Sequence, residues 1–136
     1  MRQILVDTGP LVALLDAGDE DHERCVEVAK RLRAELITTW PVMTEALYLL
    51  AGVPEGQDAL LGKVETGELQ VAELTIEDVP VVRLLMRKYQ DLPMDFADAS
   101  LVRVAQRDGL GTIFTLDRRD FQVYRRDGRR AFRLLP

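Results

Sequence analysis

The chain of 136 residues predicts an α/β fold, a three-layer α/β/α sandwich around a mostly parallel sheet. Three observations carry this. Short apolar or β-branched runs alternate with helical patterns along the whole length, the arrangement of a parallel sheet covered on both faces. The first run, Ile4-Leu5-Val6, is apolar at every position, as a buried strand must be. Two runs, 4–6 and 113–116, each end on an aspartate, and open sheets of this class form their sites at the carboxyl ends of strands.

The elements follow in order. Residues 3–6 are the first strand. Thr8-Gly9-Pro10 turns the chain into a helix, with Thr8 as its cap and Pro10 in the first turn, where a missing N–H is tolerated. Leu11, Leu14 and Leu15 supply its stripe, and Gly18 ends it. A second helix spans 19–33, with His22, Val26 and Ala29 in line and Cys25 and Leu32 beside them. Residues 36–39 form a strand. Pro41 opens a third helix that Gly52-Val53-Pro54 stops, and a short fourth helix covers 58–65. A strand at 69–74 precedes a long helix at 75–89, which starts on a capping-box pattern of Thr75 and Asp78. A helix at 95–107, ended by Gly109, leads to a strand at 112–116, and 132–135 forms a last strand at the sheet edge.

Composition narrows the class. Hydrophobic residues at 47% and charged ones at 30% describe one globular domain over residues 1–136, with enough chain to bury a core. The single cysteine, Cys25, excludes an internal disulfide and reads as a buried, inert thiol. Residues 4–6 are too short an apolar run for a secretory signal, and no stretch suits a membrane span, so a cytoplasmic protein is expected. A net charge of −5 argues against a general nucleic-acid coat. The charge is polarised, however. Residues 118–136 hold seven arginines against Asp120 and Asp127, a local +5 that leaves −10 for the rest. Arg118, Arg119, Arg125 and Arg126 are therefore candidates to hold substrate phosphates; the plainer reading is a solvated arginine-rich hairpin.

Four acids stand where core residues belong. Asp7 and Asp117 end the two apolar runs. Glu45 falls in the pattern of Ala46, Leu49 and Leu50, and Asp98 in that of Leu101, Val102 and Ala105. Carboxylates gathered in a partly desolvated pocket repel one another and stay ionised only around a positive partner. An all-oxygen donor set suits Mg2+ or Mn2+ and does not suit zinc. Such an ion activates water and offsets charge on a phosphodiester, which makes a phosphate ester the natural substrate. Thr8 and Thr115 are hydroxyls placed to orient a carboxylate or a water. Asp95 reads mainly as the cap of the helix that carries Asp98, and Asp120 as a turn residue or an outer support of the site.

The segments Val6-Asp7-Thr8, Thr39-Trp40-Pro41-Val42-Met43-Thr44-Glu45-Ala46, Asp95-Phe96-Ala97-Asp98-Ala99-Ser100 and Thr115-Leu116-Asp117-Arg118-Arg119-Asp120-Phe121 together resemble the PIN domain. More narrowly, they resemble the VapC-type toxin ribonucleases of bacterial toxin–antitoxin pairs. The resemblance covers nearly the whole chain and rests on the order and spacing of the four segments. It implies a PIN-like parallel sheet between helices and a metal-dependent endoribonuclease acting on RNA. The acidic quartet of the family carries over to Asp7, Glu45, Asp98 and Asp117, and its hydroxyls to Thr115 and Thr8. Asp95 departs from the pattern and competes with Asp98 as third ligand. The resemblance further implies a homodimer and a cognate antitoxin protein that covers the active-site groove.

One counting argument is independent of the family. Cleavage through the RNA's own 2′-hydroxyl commonly uses paired acid–base groups, often histidines, and His22 is the lone histidine. Hydrolysis by an activated water, leaving a 5′-phosphate and a 3′-hydroxyl, fits better. The alternative is a non-enzymatic PIN-like module that binds RNA or protein. Phosphotransfer through Asp7 is disfavoured, because the position two residues on, where such sites want a second acid, is Gly9.

Overall fold

The structure, a computed structural model, describes residues 2–136. Five parallel strands form one sheet: β1 (Gln3–Val6), β2 (Glu35–Thr39), β3 (Leu69–Ala72), β4 (Thr112–Phe114) and β5 (Arg133–Leu135), in the order β3-β2-β1-β4-β5. Among the described residues seven α-helices flank it: α1 (Thr8–Leu15), α2 (His22–Arg31), α3 (Trp40–Leu49), α4 (Gly56–Glu65), α5 (Val79–Lys88), α6 (Phe96–Asp108) and α7 (Arg118–Phe121). The chain builds outward from β1 to β3 and then crosses back to place β4 on the other side of β1. The gap between β1 and β4 is thus the topological switch point, where the following segments diverge and leave a crevice at the carboxyl ends.

The apolar runs lie where their composition requires. Ile4, Leu5, Val6, Ile113 and Phe114 have no exposed surface, and Leu5 pairs with both Ile37 and Ile113. Cys25 is fully buried, and burial pushes its thiol up to about 11, so it is a core residue and a poor nucleophile. No helix among the described residues is long and apolar enough to cross a membrane.

Several elements differ from the sequence reading. The helix expected over 75–89 is divided into a single 3-10 turn at Ile76–Asp78 and then α5. Pro80 explains the break. It has no N–H to give the Ile76 carbonyl, and the Val79 N–H bonds that carbonyl instead, in the tighter i→i+3 pattern. The second helix starts at His22 rather than 19, because the Asp19 side chain accepts from the Asp21 N–H at 2.8 Å and holds a turn there. Thr8 does not cap α1. The Asp7 carboxylate already accepts the Thr8 N–H at 2.8 Å, which moves the cap one residue earlier and leaves Thr8 inside the helix. The arginine-rich tail forms α7, then a narrow loop closed by one antiparallel bridge between Arg125 and Ala131, then β5.

The capping box at Thr75 does form, and it is tied to the rest of the fold. The Thr75 side chain accepts from the Glu77 N–H, and Asp78 Oδ2 accepts the Thr75 N–H at 2.9 Å. Asp78 is buried, and its two oxygens also receive Arg103 Nε at 2.7 Å and Arg107 Nη1 at 3.2 Å from α6. Those donors hold its carboxyl below the ordinary range, the Thr75 N–H foremost. Asp78→Ala would strand two arginines and a backbone donor. Urea denaturation is expected to show a loss of about 2–4 kcal/mol at neutral pH. Because the folded pKa is lowered, this contribution is present at neutral pH and disappears as pH falls below the usual carboxylate range. An Asp78→Ala midpoint equal to that of the unmodified chain would show that the network is idle.

Candidate active site

Asp7 leaves β1 at the switch point. Its backbone N–H still bonds the Phe114 carbonyl of β4 at 2.9 Å, so the sheet ladder fixes its position. Its side chain is fixed twice more. Oδ1 accepts the Thr8 N–H, and Oδ2 accepts the Thr115 hydroxyl at 2.8 Å. Thr115, wholly buried just past β4, also accepts the Asp117 N–H at 2.9 Å. One hydroxyl therefore links the two acids that end β1 and the β4 segment, across 108 residues of sequence.

Asp98 projects from the first turn of α6, whose N-cap is Asp95. The Asp95 carboxylate accepts the Asp98 N–H at 2.8 Å, which is the capping role expected of it. Tyr124 donates its hydroxyl to Asp98 Oδ2 at 3.0 Å. This tyrosine is fully buried and packs edge-on against Tyr89 and Phe121 with ring centroids 5.0 and 5.1 Å away. A rigid aromatic group thereby aims one oxygen of Asp98. Asp117 caps α7, accepting the Asp120 N–H at 3.3 Å, and this turn brings Asp120 to the same side. Glu45 is exposed on α3. That helix is tied to α6 by a buried chain in which Thr39 meets Ser100 at 2.7 Å and Ser100 donates to the Ala97 carbonyl.

These pieces enclose a cleft of about 430 Å³, lined among others by Asp7, Thr8, Glu45, Asp95, Asp98, Asp117 and Asp120. All four acids of the sequence reading face one cavity. Gly9 helps it close: a Cβ there would stand 3.2 Å from the Leu116 Cβ, so a larger residue would push α1 and the segment after β4 apart by a few tenths of an ångström. Within the cleft the tightest group is Asp98, Asp117 and Asp120. Each offers a carboxylate oxygen, and these oxygens all lie within 4.8 Å of one another, close enough to hold one cation. Asp120, read from the sequence as a turn residue or outer support, also offers an oxygen to this group. Asp7 and Glu45 line the wall without joining that trio.

Among the described residues no lysine or arginine lines this cleft, and Arg119 at its margin offsets only part of the charge on Asp120. Burial pushes Asp98 up to about 8, with the charges of Asp95 and Asp7 adding to it. Burial likewise raises Asp7 to about 6, against the pull of its Thr8 and Thr115 hydrogen bonds. Asp120 is raised by burial and by Asp117, and the phenol of Tyr124 by burial and by Asp98. Thr8 Oγ1 adds a different signal. It is buried at the cleft wall and has no hydrogen-bond partner among the described residues. An unmet buried hydroxyl costs about 1–3 kcal/mol, a cost removed when a hydrated ion sits beside it. Oxygen donors, excess negative charge and an orphaned hydroxyl all fit a hard divalent cation.

The four arginines separate. Arg118 and Arg119 are exposed on α7 next to Asp117, and Arg119 is near enough to Asp120 to oppose the rise in its pKa. Arg118 Nη1 donates to the Pro136 carbonyl at 3.0 Å. Arg125 Nη1 is turned back onto the carbonyls of Gln122, Val123 and Tyr124, where it caps the end of α7. Arg126 lines a different cleft, at the amino ends of the strands. The loop at Arg125–Ala131 reverses the chain, so neighbours in sequence end on different faces. His22 Nδ1 donates to the Ala13 carbonyl at 2.7 Å and joins α1 to α2, outside the acidic cleft. Tyr124 is the contact that sequence reasoning missed. Beside the acids runs an apolar groove of about 790 Å³, lined by Trp40, Tyr48 and Phe96 and sharing Glu45 and Asp95 with the acidic cleft.

A parallel sheet with carboxylates gathered over its switch point defines a PIN-type nuclease fold, and the chain belongs to the PIN domain family, which residues 4–127 match. Its similarity extends to the VapC proteins. It is 32% identical over 136 residues to Ribonuclease VapC26 of Mycobacterium tuberculosis (strain ATCC 25618 / H37Rv), covering 98% of this chain and 100% of that one. Among solved structures, it resembles the Mycobacterium tuberculosis toxin VapC20, described as cleaving the sarcin-ricin loop. The TM-score is 0.78 and identity 20%, covering 85% of this chain and 91% of that one. It also resembles a chain of a toxin–antitoxin complex from Klebsiella pneumoniae, with TM-score 0.64, identity 16%, and coverage of 88% and 91%. At these identities the structural matches speak for the fold.

Proposed function

We propose that the chain is a metal-dependent endoribonuclease, the toxin of a toxin–antitoxin pair working in the cytoplasm. The observation that carries this reading is the group of Asp98, Asp117 and Asp120, with oxygens within 4.8 Å of one another in a cleft that, among the described residues, no basic side chain lines. The relative VapC26, itself named a ribonuclease, supports RNA as the substrate.

Asp98, Asp117 and Asp120 would hold Mg2+ or Mn2+, with Asp7 and Glu45 completing the acidic wall. When bound, such an ion acidifies water and offsets the charge that develops on a phosphodiester. The chain's own groups do the rest. Thr115 holds Asp7 and the Asp117 backbone in register, Tyr124 aims Asp98, and Arg119 lies beside Asp120 where an incoming phosphate needs a cation. Water adds to phosphorus, the bond to the 3′ oxygen breaks, and that oxygen takes up a proton. The products are a 5′-phosphate and a 3′-hydroxyl. A second copy of the chain and a cognate antitoxin are the partners this reading implies. A monomer that cuts RNA at full rate would remove the second copy, and a rate that no protein encoded beside the chain diminishes would remove the antitoxin.

The test is incubation of purified protein with single-stranded RNA. Cleavage is expected with Mg2+ or Mn2+, none with chelator, and new ends should be ligatable as 5′-phosphates. Cleavage that persists in excess chelator, or RNA bound yet intact with either ion, would overturn the reading; the second result would favour a binding module.

A further inference from the structure

A second cleft, of about 570 Å³, lies at the amino ends of the strands, lined by Arg2, Arg126 and Arg133 together with Gly109, Gly111 and Thr112. Arg2 precedes β1, while Thr112 and Arg133 open β4 and β5. The cleft is therefore separated from Asp7 by the length of β1, about 13 Å at roughly 3.3 Å per residue. Its charge is unusual for this protein. The chain has 23 acids and 18 lysines and arginines, yet none of these three arginines forms an ion pair or gives a side-chain hydrogen bond among the described residues.

The loop that carries Arg126 is built to present it. Asp127 accepts the N–H groups of Arg129 and Arg130 at 3.3 and 3.0 Å, and Arg130 Nε at 2.7 Å. The Arg126 N–H bonds the Arg130 carbonyl at 3.0 Å. Asp127 and Arg130 thus neutralise each other at the tip and leave Arg126 free. Its guanidinium lies directly on Gly111, where a Cβ would overlap it. Glycine at 111 leaves room for the guanidinium in this position, and a side chain there would make it move aside.

Three guanidinium groups around one polar cavity repel each other unless an anion with several oxygens joins them. Guanidinium forks match phosphate oxygens best. The wall offers little apolar surface to seat a peptide's side chains, which favours a phosphate backbone over an acidic peptide.

We propose that this cleft is a second RNA-backbone site, holding phosphates of a substrate long or folded enough to pass around the sheet edge from the acidic cleft. This rests on the ribonuclease reading. It adds that the chain selects extended or folded RNA, because a short oligonucleotide fills the acidic cleft alone.

The experiment compares Arg126→Gln, Arg126→Gln/Arg133→Gln and Gly111→Ala, the last of which shifts the Arg126 guanidinium from its place on residue 111 without removing its charge. Melting curves exclude unfolded variants, and cleavage is measured on a short oligonucleotide and on a long folded transcript. For the transcript, KM is expected to rise about tenfold, the loss of one charge-assisted contact, with kcat unchanged. The salt slope of its binding should fall by roughly one to two in the double variant. Values for the oligonucleotide should not move. Equal effects on both RNAs, or none on either, would overturn the proposal, as would binding to the cleft that polyglutamate blocks and RNA does not. If the unmodified protein cuts neither RNA, the ribonuclease reading has failed. The cleft is then judged by filter binding of the transcript: lost affinity in the variants supports it, and unchanged affinity overturns it.

Discussion

Asp98→Asn is expected to abolish RNA cleavage, by a factor of at least about 10³, and at the same time to raise the melting temperature of the metal-free protein near pH 9. The two effects have one cause. Asp98 is pushed up to about 8 because its charge is buried beside Asp95 and Asp7. Near pH 9 the folded chain carries that charge at a cost that the unfolded chain does not share. Asparagine has the same shape, keeps an oxygen to accept the Tyr124 hydroxyl, and carries no charge to repel its neighbours. It also cannot serve as an anionic ligand between Asp117 and Asp120. Cleavage is expected to vanish likewise in Asp7→Asn, Glu45→Gln and Asp117→Asn, with the smallest gain in stability at exposed Glu45. Cleavage assays paired with thermal melts in chelator check both halves. A variant that lost activity and stability together would point to a structural role for Asp98 and away from a metal site.

The residues that could be found from sequence were those where polarity contradicts a strong local pattern. Asp7 and Asp117 break apolar runs, and Asp98 breaks a helical stripe. In each case burial had to be explained by something outside the element itself. Parallel topology then made their meeting point almost unavoidable, since strand ends converge at the switch point. What could not be read depends on distant geometry. Tyr124 sits in a stretch with no period, and its value lies in a hydrogen bond to Asp98 that only the tertiary fold creates. Thr115 was legible as a hydroxyl near Asp117, but its bond to Asp7 was not. Thr8 looked like a cap by residue type; Asp7 takes that place because its extended backbone puts it just outside the helix, with its carboxylate on the Thr8 N–H. Arg125 and Arg126 are adjacent in sequence and alike in chemistry, yet one caps a helix and the other enters a cleft at the far end of the sheet.

Magnesium is expected to stabilise the protein strongly near pH 9 and weakly near pH 6. Asp7 at about 6 and Asp98 at about 8 are both raised above the ordinary carboxylate value of 3.8. The folded chain therefore binds more protons than the unfolded chain between these limits. For these two groups the metal-free fold is most stable below the ordinary value, and that stability is lost as pH rises through 6 and then 8. A cation reverses the slope, because it competes with the same protons and gains affinity as they leave. At a free concentration near 100 times its Kd, an ion bound only to the folded state adds about 2.7 kcal/mol, or about 10 °C in a chain of this size. Thermal melts at low and high pH, with Mg2+ or chelator, read the effect directly. An Asp7→Asn/Asp98→Asn variant isolates the two carboxylates from every other titrating group. In that variant the metal-free slope should flatten and the magnesium shift should vanish. A magnesium shift of undiminished size there would place the ion elsewhere on the molecule, and an unmodified chain whose melting temperature ignores millimolar magnesium at every pH would leave these acids with no cation to gather around.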